Sequence, residues 1–436
     1  MKVYILGAGI TGLAAGFVSG LPVYEAQETP GGICSSYYMK PKTEERLHNI
    51  PNDQEAYRFE IGGGHWIFGG DPLVLHFIKT LTPVKSYVRR SAVYFSDKNL
   101  LVPYPIDNNL RYFGTELATK ILEELVEASK TSKKLTTMAE WLESHFGPTL
   151  YKLYFEPFHE LYTAGLFRKI APQDPYKTPI NLKLAIQGVF AETPPVGYNV
   201  TFIYPKEGLN SFIQKMASYC NIHYNKKVVR IDLEQKIVYF EDNSNIEYDY
   251  LISTLPLNHV VEMTKLDVDE KTDPATSLLV INIGAIKGSH CPDAHWVYIP
   301  KSKSGFHRVG FYSNVDTSFL PLSVRKSNTH VSIYVEKAYI YGNKPSRDEV
   351  IRISHEVIDE LIEWDWIKDV DIVDPTWIDV AYTWSWPNSH WREKALKMLE
   401  SYGIFQVGRY ARWTFQGIAE SIKEGFIAGS SFSHYK

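Results

Sequence analysis

The chain has 436 residues, with 46 Lys and Arg against 50 Asp and Glu, so its formal net charge is −4. Apolar residues make up 44% and charged residues 22%, which predicts a soluble globular protein of two or three domains. The near-neutral balance excludes a broad basic surface for nucleic acid. The cysteines Cys34, Cys220 and Cys291 form no CxxC pair or His/Cys cluster, so neither disulfides nor a metal site is expected.

The hydropathy pattern contains no run that approaches the roughly 18–20 apolar residues of a membrane span. The opening stretch MKVYILGAGI also lacks the basic region and long apolar core of a signal peptide. We therefore expect a cytoplasmic enzyme or binding protein without a membrane span.

The first part of the chain predicts a strand, a glycine-rich turn, a helix and a second strand. Val3–Leu6 is a short apolar run typical of a buried parallel strand. It leads into a GxGxxG turn at residues 7–12, followed by a helix-forming stretch over residues 13–18. A second strand is predicted over Leu21–Ala26, with Glu25 near its end.

Each part of this pattern suits a bound dinucleotide. Gly7 permits the tight turn, Gly9 lets the backbone approach a pyrophosphate, and Gly12 allows close packing of the helix on the strand. The helix N-terminus, at Ile10 and Thr11, offers N–H groups to the phosphates. Glu25 can accept hydrogen bonds from ribose hydroxyl groups, which favours a ribose without a 2′-phosphate.

The residues after the second strand narrow the dinucleotide to FAD. Ala26 and Gln27 are followed by a second glycine loop at Gly31 and Gly32. Further along, the chain has a Tyr-Pro turn at residues 204–209, a predicted hairpin at 227–240 and a predicted strand at 248–256. These segments, in this order, resemble the FAD-binding proteins of the flavin amine oxidase and protoporphyrinogen oxidase clan. The resemblance implies that Gly31 and Gly32 pass close to the flavin and that Val228 contacts the adenine.

The C-terminal region resembles the same clan. Residues 403–407 predict a buried strand, which is followed by Gly408 and Arg409 and then by a helix from about Ile418 to Gly429. In the clan this helix points its N-terminus at the pyrimidine edge of the flavin, which implies that Gly417, Ile418 and Ala419 face the ring. The helix dipole would stabilise the negative charge of a reduced flavin.

The middle of the chain resembles the UDP-galactopyranose mutases in particular. The similar segments are a glycine–histidine loop at 62–68, a Val-Pro-Tyr-Pro turn at 102–109, and two predicted strands at 296–300 and 306–314. The resemblance implies that the loop containing Gly63, Gly64 and His65 arches over the flavin. It also implies that Arg308 binds the diphosphate of a sugar nucleotide.

Two positions depart from the mutase pattern. Where the mutases hold the diphosphate with two tyrosines, this chain has Trp386 and Phe415. Neither side chain carries an O–H group, so two hydrogen bonds worth roughly 1.5–3 kcal/mol each would be lost. The departures leave the FAD prediction intact but weaken the prediction of UDP-galactose as substrate.

The predicted fold class is α/β, with a Rossmann-type FAD-binding domain (GR2-like), a helical subdomain and an antiparallel-sheet substrate domain. The FAD domain is discontinuous over residues 1–75, 200–260 and 395–436. Residues 76–199 are predicted as the helical substrate subdomain and residues 261–394 as the antiparallel sheet.

The candidate site residues fall into three groups. His65 and Arg308 are the candidates for catalysis. The predicted substrate contacts are Tyr104, Asp107, Tyr298, Arg308, Trp386 and Phe415. The predicted FAD contacts are Gly7, Gly9, Ile10, Thr11, Gly12, Glu25, Ala26, Gln27, Gly31, Gly32, Gly63, Gly64, His65, Val228, Gly408, Arg409, Gly417, Ile418 and Ala419.

Three functions are compatible with these predictions. The first is an FAD-dependent oxidoreductase acting on a small polar or sugar-derived substrate through flavin N5. The second is a redox-neutral pyranose/furanose mutase of a nucleotide sugar, in which reduced FAD acts as the nucleophile. The third is a flavin-binding protein without turnover. The expected partners are a small-molecule substrate, with a sugar nucleotide as one candidate, and NAD(P)H as a candidate flavin reductant.

Overall fold

The computed structural model of the protein describes residues 1–130, 135–173, 180–197 and 199–433. The strands of these residues are, in chain order, β1 (Val3–Leu6), β2 (Pro22–Tyr24), β3 (Ser36–Met39), β4 (Tyr57–Glu60), β5 (Ile67–Phe68), β6 (Val84–Val88), β7 (Ser91–Phe95), β8 (Leu100–Pro103), β9 (Thr201–Pro205), β10 (Asn221–His223), β11 (Val228–Asp232), β12 (Ile237–Phe240), β13 (Asn245–Glu247), β14 (Tyr250–Ser253), β15 (Ala275–Lys287), β16 (Trp296–Tyr298), β17 (Arg308–Phe311), β18 (His330–Ile340), β19 (Ile367–Thr383) and β20 (Ile404–Gln406). The helices are α1 (Ile10–Ser19), α2 (Pro72–Leu81), α3 (Thr115–Ala128), α4 (Met138–Leu150), α5 (Glu156–Tyr162), α6 (Leu182–Phe190), α7 (Leu209–Ala217), α8 (Leu257–Thr264), α9 (Tyr312–Val315), α10 (Arg347–Glu363), α11 (Trp391–Ser401) and α12 (Ile418–Ser431).

A parallel sheet brings together distant parts of the chain in the order β10–β2–β1–β14–β20. β1 pairs with β2 on one side and with β14 on the other, and β14 pairs with β20. Helices α1 and α12 cross closely, because Gly425 and Gly429 place bare backbone against the backbone of Thr11 and Ala15. This sheet, with its flanking helices, confirms the predicted Rossmann-type architecture.

A larger sheet has the order β19–β15–β18–β17–β16–β7–β8. Its neighbouring strands are antiparallel, apart from the parallel pair β7 and β16. Strand β15, the second in this order, is buried over most of its length, and it pairs with β18 and β19 along its two edges. Strands β15 to β19 of this sheet lie within residues 261–394, the range predicted for an antiparallel sheet, and β7 and β8 lie outside it.

The segment predicted as helical over residues 76–199 differs from the prediction at its start. Three strands, β6, β7 and β8, lie in this segment between helices α2 and α3. β7 pairs with β16, about 200 residues later in the chain, so β7 and β8 extend the large sheet. A pairing over such a separation leaves no local pattern in the sequence. The division into three domains remains a prediction, with helices α3 to α6 as its helical part.

Helices α3 to α6 pack around a core that they share with Val93, Phe95 and Val102 of β7 and β8. Buried residues of this core include Ile121, Leu142, Phe146 and Phe155. Helix α4 begins with a capping box, in which Thr137 and Glu140 bond each other's backbone N–H groups. Within the described ranges, no helix combines the length and the apolar character that crossing a bilayer requires.

Candidate active site

A cavity of about 630 Å³ lies between the parallel sheet and the large sheet. On one side, its wall is formed by Gly7, Thr254 and Gly408, which follow the carboxyl ends of β1, β14 and β20. On the other side, side chains of β15, β18 and β19 line it. The carboxyl edge of a parallel sheet is where α/β proteins bind their ligands.

The glycine-rich turn after β1 is held in place by Glu25. The carboxylate of Glu25 accepts a hydrogen bond from the N–H of Ala8 at 2.6 Å and another from the N–H of Gln27 at 3.0 Å. Burial raises the pKa of Glu25, while these backbone N–H groups act in the opposite direction. Glu25 therefore braces the loop itself. The carboxylate has lone pairs left for further hydrogen bonds, so a contact between Glu25 and a ribose stays a prediction.

The glycines of the two loops leave space beside the backbone that the side chain of any other residue type at these positions would occupy. Gly9 and Gly32 both line the cavity. A Cβ atom added at Gly9 would have no neighbour within 4 Å among the described residues, and one added at Gly32 would meet only the Cα of Gly9, at 3.7 Å. The N–H of Gly31 donates to the carbonyl of Ala8 at 2.8 Å, which joins the two loops. Bare backbone at a helix N-terminus beside an open cavity fits the pyrophosphate and flavin of FAD.

The predicted residues that line this cavity are Gly7, Gly9, Ile10, Thr11, Gly31, Gly32, Gly64, His65, Tyr298, Arg308, Gly408, Arg409, Phe415, Gly417 and Ile418. Ten predicted residues lie outside its lining: Gly12, Glu25, Ala26, Gln27, Gly63, Tyr104, Asp107, Val228, Trp386 and Ala419. Among the latter, Gly12 packs α1 onto the carbonyl oxygen of Gly7, and Val228 is buried in the core that includes Leu6 and Phe240.

The N-terminus of α12 meets the cavity. Its cap residue Gly417 and its first residue Ile418 line the wall, and so does Glu420 in the first turn. Arg409 donates from Nη1 to the carbonyl of Gln416 at 2.9 Å and lies over the ring of Phe415 at 4.5 Å. Arg409 thereby places a cation beside this helix end.

His65 lies in the glycine-rich loop between β4 and β5. Its Nδ1 lies 3.3 Å from the carbonyl oxygen of Gly63. Burial lowers the pKa of His65 to about 4, so the imidazole is neutral at physiological pH. A neutral imidazole can both donate and accept a hydrogen bond within the cavity.

The side of the cavity formed by the large sheet carries a buried ion pair and several phenols. Nη2 of Arg308 lies 2.6 and 2.5 Å from the two carboxylate oxygens of Glu336 and donates to the hydroxyl of Tyr382 at 3.2 Å. Burial opposes the ionisation of Glu336, but Arg308 outweighs it, and the pKa of Glu336 is lowered to about 2. Tyr298, Tyr334 and Tyr382 line the same wall.

The structure does not bring three of the predicted substrate residues to the cavity. The indole N–H of Trp386 donates to the carbonyl of Thr272 at 2.9 Å, and Lys271 lies over the Trp386 ring. The chain turns away after β19 ends at Thr383, and this turn carries Trp386 towards residues 271–273. The ring centroid of Tyr104 lies 5.0 Å from that of Tyr298, which lines the cavity, and Asp107 is buried in the turn after β8.

Several cavity residues were not predicted from the sequence. Seven of them belong to strands of the large sheet: Leu278, Trp296, Tyr334, Glu336, Ile378, Ala381 and Tyr382. Strand alternation offers a signal for some of them, because Tyr334 and Glu336 are two residues apart and share a face of β18. The sequence alone does not say which of the two faces meets the cofactor.

The chain has been compared with known families and structures. The sequence profile of the flavin containing amine oxidoreductases matches residues 14–283, which is more than half of the chain. The chain therefore belongs to the flavin containing amine oxidoreductase family, and FAD is its cofactor.

Solved structures share the fold over the whole chain. A reduced UDP-galactopyranose mutase is 22% identical, with a TM-score of 0.83, and the match covers 100% of this chain and 96% of the mutase. A candidate protoporphyrinogen oxidase from Exiguobacterium sp. 255-15 is 14% identical, with a TM-score of 0.71 and coverage of 100% and 99%. A putrescine oxidase variant is 14% identical, with a TM-score of 0.61 and coverage of 99% and 98%.

Proposed function

We propose that the protein is an FAD-dependent oxidoreductase with a pocket like that of the UDP-galactopyranose mutases. Its substrate is a small polar or sugar-derived molecule, which reacts at flavin N5. The observation that carries this proposal is the group of hydrogen-bonding side chains on one wall of the cofactor cavity, where Tyr298, Tyr334 and Tyr382 lie beside Arg308. Phenol and guanidinium groups suit the hydroxyl and carbonyl oxygens of such a substrate.

The protonation states of these groups support a role in binding. Burial raises the pKa of Tyr382 to about 12 and raises that of Tyr334 as well, so both phenols keep their protons and can donate them in hydrogen bonds. Arg308 holds the hydroxyl of Tyr382 at 3.2 Å and so orients it. Apolar lining residues, among them Trp66, Leu278 and Ile378, exclude water from the same cavity.

FAD, when bound, supplies an N5 atom that takes up a hydride equivalent or, in the reduced state, acts as a nucleophile. Gly9, Gly32 and the N-terminus of α12 would hold it, with backbone N–H groups directed at its phosphates and its ring. Neutral His65, which also lines the cavity, would provide a hydrogen-bond donor or acceptor without adding charge.

A second candidate is the redox-neutral pyranose/furanose mutase of a nucleotide sugar, with NAD(P)H as reductant of the flavin. It is favoured by the likeness to a UDP-galactopyranose mutase over the whole length of both chains. Two features disfavour it. Phe415 has no hydroxyl for a diphosphate, and Trp386 lies outside the cavity.

An anaerobic titration followed by flavin absorbance separates the two candidates. For the oxidoreductase, a small polar or sugar-derived substrate alone bleaches the oxidised flavin. For the mutase, the substrate leaves the spectrum unchanged, and ring-size isomers of a nucleotide sugar form only after reduction by dithionite or NAD(P)H. Formation of such isomers without net flavin oxidation or reduction would replace the first candidate by the second.

A further inference from the structure

Arg308 and Glu336 are direct cross-strand partners on the cavity wall. They face each other in the antiparallel register of β17 and β18, and both carboxylate oxygens of Glu336 contact Nη2 of Arg308. The Glu336 side chain is 1% exposed, whereas that of Arg308 is 23% exposed. The guanidinium is therefore the part of the pair that a ligand can reach, and the carboxylate lies behind it.

Both members of the pair are ionised over the whole physiological range. Arg308 holds the pKa of Glu336 at about 2, and Glu336 raises the pKa of Arg308 against the effect of burial. The neighbouring His307 is buried, which lowers its pKa, so it adds no positive charge. The charges of Arg308 and Glu336 cancel at contact distance, and the wall carries hydrogen-bond donors without net charge.

The other residues that line the cavity add no net positive charge to this wall. Besides Arg308 and Glu336, the charged residues of its lining are Arg409 and Glu420, which both belong to the α12 end of the cavity. The described lining therefore contains two cations and two anions. A diphosphate brings at least two negative charges and needs cations that are not already neutralised.

We propose that Glu336 determines substrate specificity by neutralising Arg308, so that the pocket accepts a neutral hydroxyl- or carbonyl-bearing group and discriminates against a diphosphate. The inference rests on the proposed function, because it names the class of substrate that the same pocket takes. Glu336 acts through Arg308 and is a positioning and charge-setting residue, since its carboxylate is almost completely covered.

The test compares UDP with uridine, which differ only by the diphosphate. Binding to the oxidised, FAD-loaded protein is measured by calorimetry at low salt. We expect the wild type to bind UDP no more than about 3-fold tighter than uridine. Charges that are already paired or screened by solvent contribute little to the affinity for the diphosphate. In Glu336→Gln the unmasked Arg308 should tighten UDP binding by about tenfold or more, with uridine unchanged, and added salt should weaken this gain.

The control is Glu360→Gln, which changes another buried glutamate. Glu360 lies on α10, accepts hydrogen bonds from Ser302 and Ser304, and does not line the cavity. This variant should keep the wild-type ratio of UDP to uridine affinity. An equal gain in Glu360→Gln, or no gain in a Glu336→Gln protein that retains its flavin spectrum, would overturn the proposal.

A further variant covers the case in which Glu336→Gln does not fold. Arg308→Met combined with Glu336→Gln removes both charges and keeps the wall neutral, so this double variant should leave UDP affinity within about 3-fold of the wild-type value. A loss of tenfold or more would show that Arg308 already binds the diphosphate, which contradicts the proposal. These measurements need no turnover, so their outcome is separate from that of the anaerobic titration.

Discussion

The carbonyl oxygen of Gly7 occupies the space that a Cβ atom would need at Gly12. At Gly9, by contrast, nothing lies within 4 Å of the Cβ position, although this residue lines the cavity. The two glycines of the same turn therefore serve different purposes. Gly12 allows α1 to pack against the turn, and Gly9 leaves open the space next to the helix N-terminus, where we propose that FAD binds.

Substitution of these glycines should separate folding from cofactor binding. Gly9→Ala should fold normally but bind FAD about 10- to 100-fold more weakly, which corresponds to one or two lost charge-assisted hydrogen bonds. Gly12→Val should lower the melting temperature as well, because the side chain meets backbone. The ratio of flavin to protein absorbance and the melting curve of each variant measure the two effects. Full flavin content in Gly9→Ala would contradict this placement of the pyrophosphate.

Phe415 and Trp386 offer a matched test of the pocket boundary. Phe415 lines the cavity, whereas Trp386 is bonded to Thr272 outside it. Phe415→Tyr adds a hydroxyl within the cavity and should improve UDP affinity by about 2- to 10-fold, the value of one net hydrogen bond. Trp386→Tyr should leave the affinity unchanged. Calorimetric titration of both variants measures this, and the opposite ranking would show that position 386 faces the ligand.

Removal of Arg308 should cost stability as well as altering the pocket. Arg308→Met leaves the Glu336 carboxylate buried without its partner, and such a loss typically destabilises a protein by about 3–5 kcal/mol. Arg308→Met combined with Glu336→Gln should recover most of this loss, since no unpaired charge remains. Denaturant unfolding of the holoprotein gives the free energies. If the double variant is no more stable than Arg308→Met, then the lost stability does not come from an unpaired carboxylate.

Asp107 should make stability depend on pH in the acidic range. Burial raises the pKa of Asp107 from 3.8 to about 6. The folded state therefore holds this proton more tightly than the unfolded state does, and the resulting stabilisation is complete below pH 3.8 and is lost as the pH rises to 6. Above that pH, Asp107→Asn should be more stable than the wild type by about 3 kcal/mol, which is about two pKa units.

Urea unfolding of the holoprotein at several pH values between 4 and 7 measures the effect of Asp107→Asn. The exposed Asp267 supplies the control, because Asp267→Asn should leave the pH dependence of the wild type unchanged. An equal stability difference between Asp107→Asn and the wild type at pH 4 and pH 7 would show that the Asp107 carboxyl is not destabilised by burial.

Local sequence was sufficient to predict the helices and turns, whose backbone hydrogen bonds join residues close in sequence. The helix after the glycine-rich turn, α1, and the C-terminal helix α12 form almost where they were predicted, because helical hydrogen bonds close within a few residues and the turn requires its glycines. The order of these motifs along the chain also predicted the FAD fold, which the family match and the solved structures confirm.

Tertiary structure alone decided the rest of the pocket. β7 joins β16 across about 200 residues, and the register of β17 with β18 sets Glu336 against Arg308. Likewise, the turn after β19 removes Trp386 from the cavity, while Phe415 remains in it. Contacts of this kind depend on which strands pair and which faces become buried, and these follow from the packing of the whole chain rather than from any local pattern. The sequence by itself therefore predicted the cofactor, and the folded chain determined the charge and the boundary of the cavity.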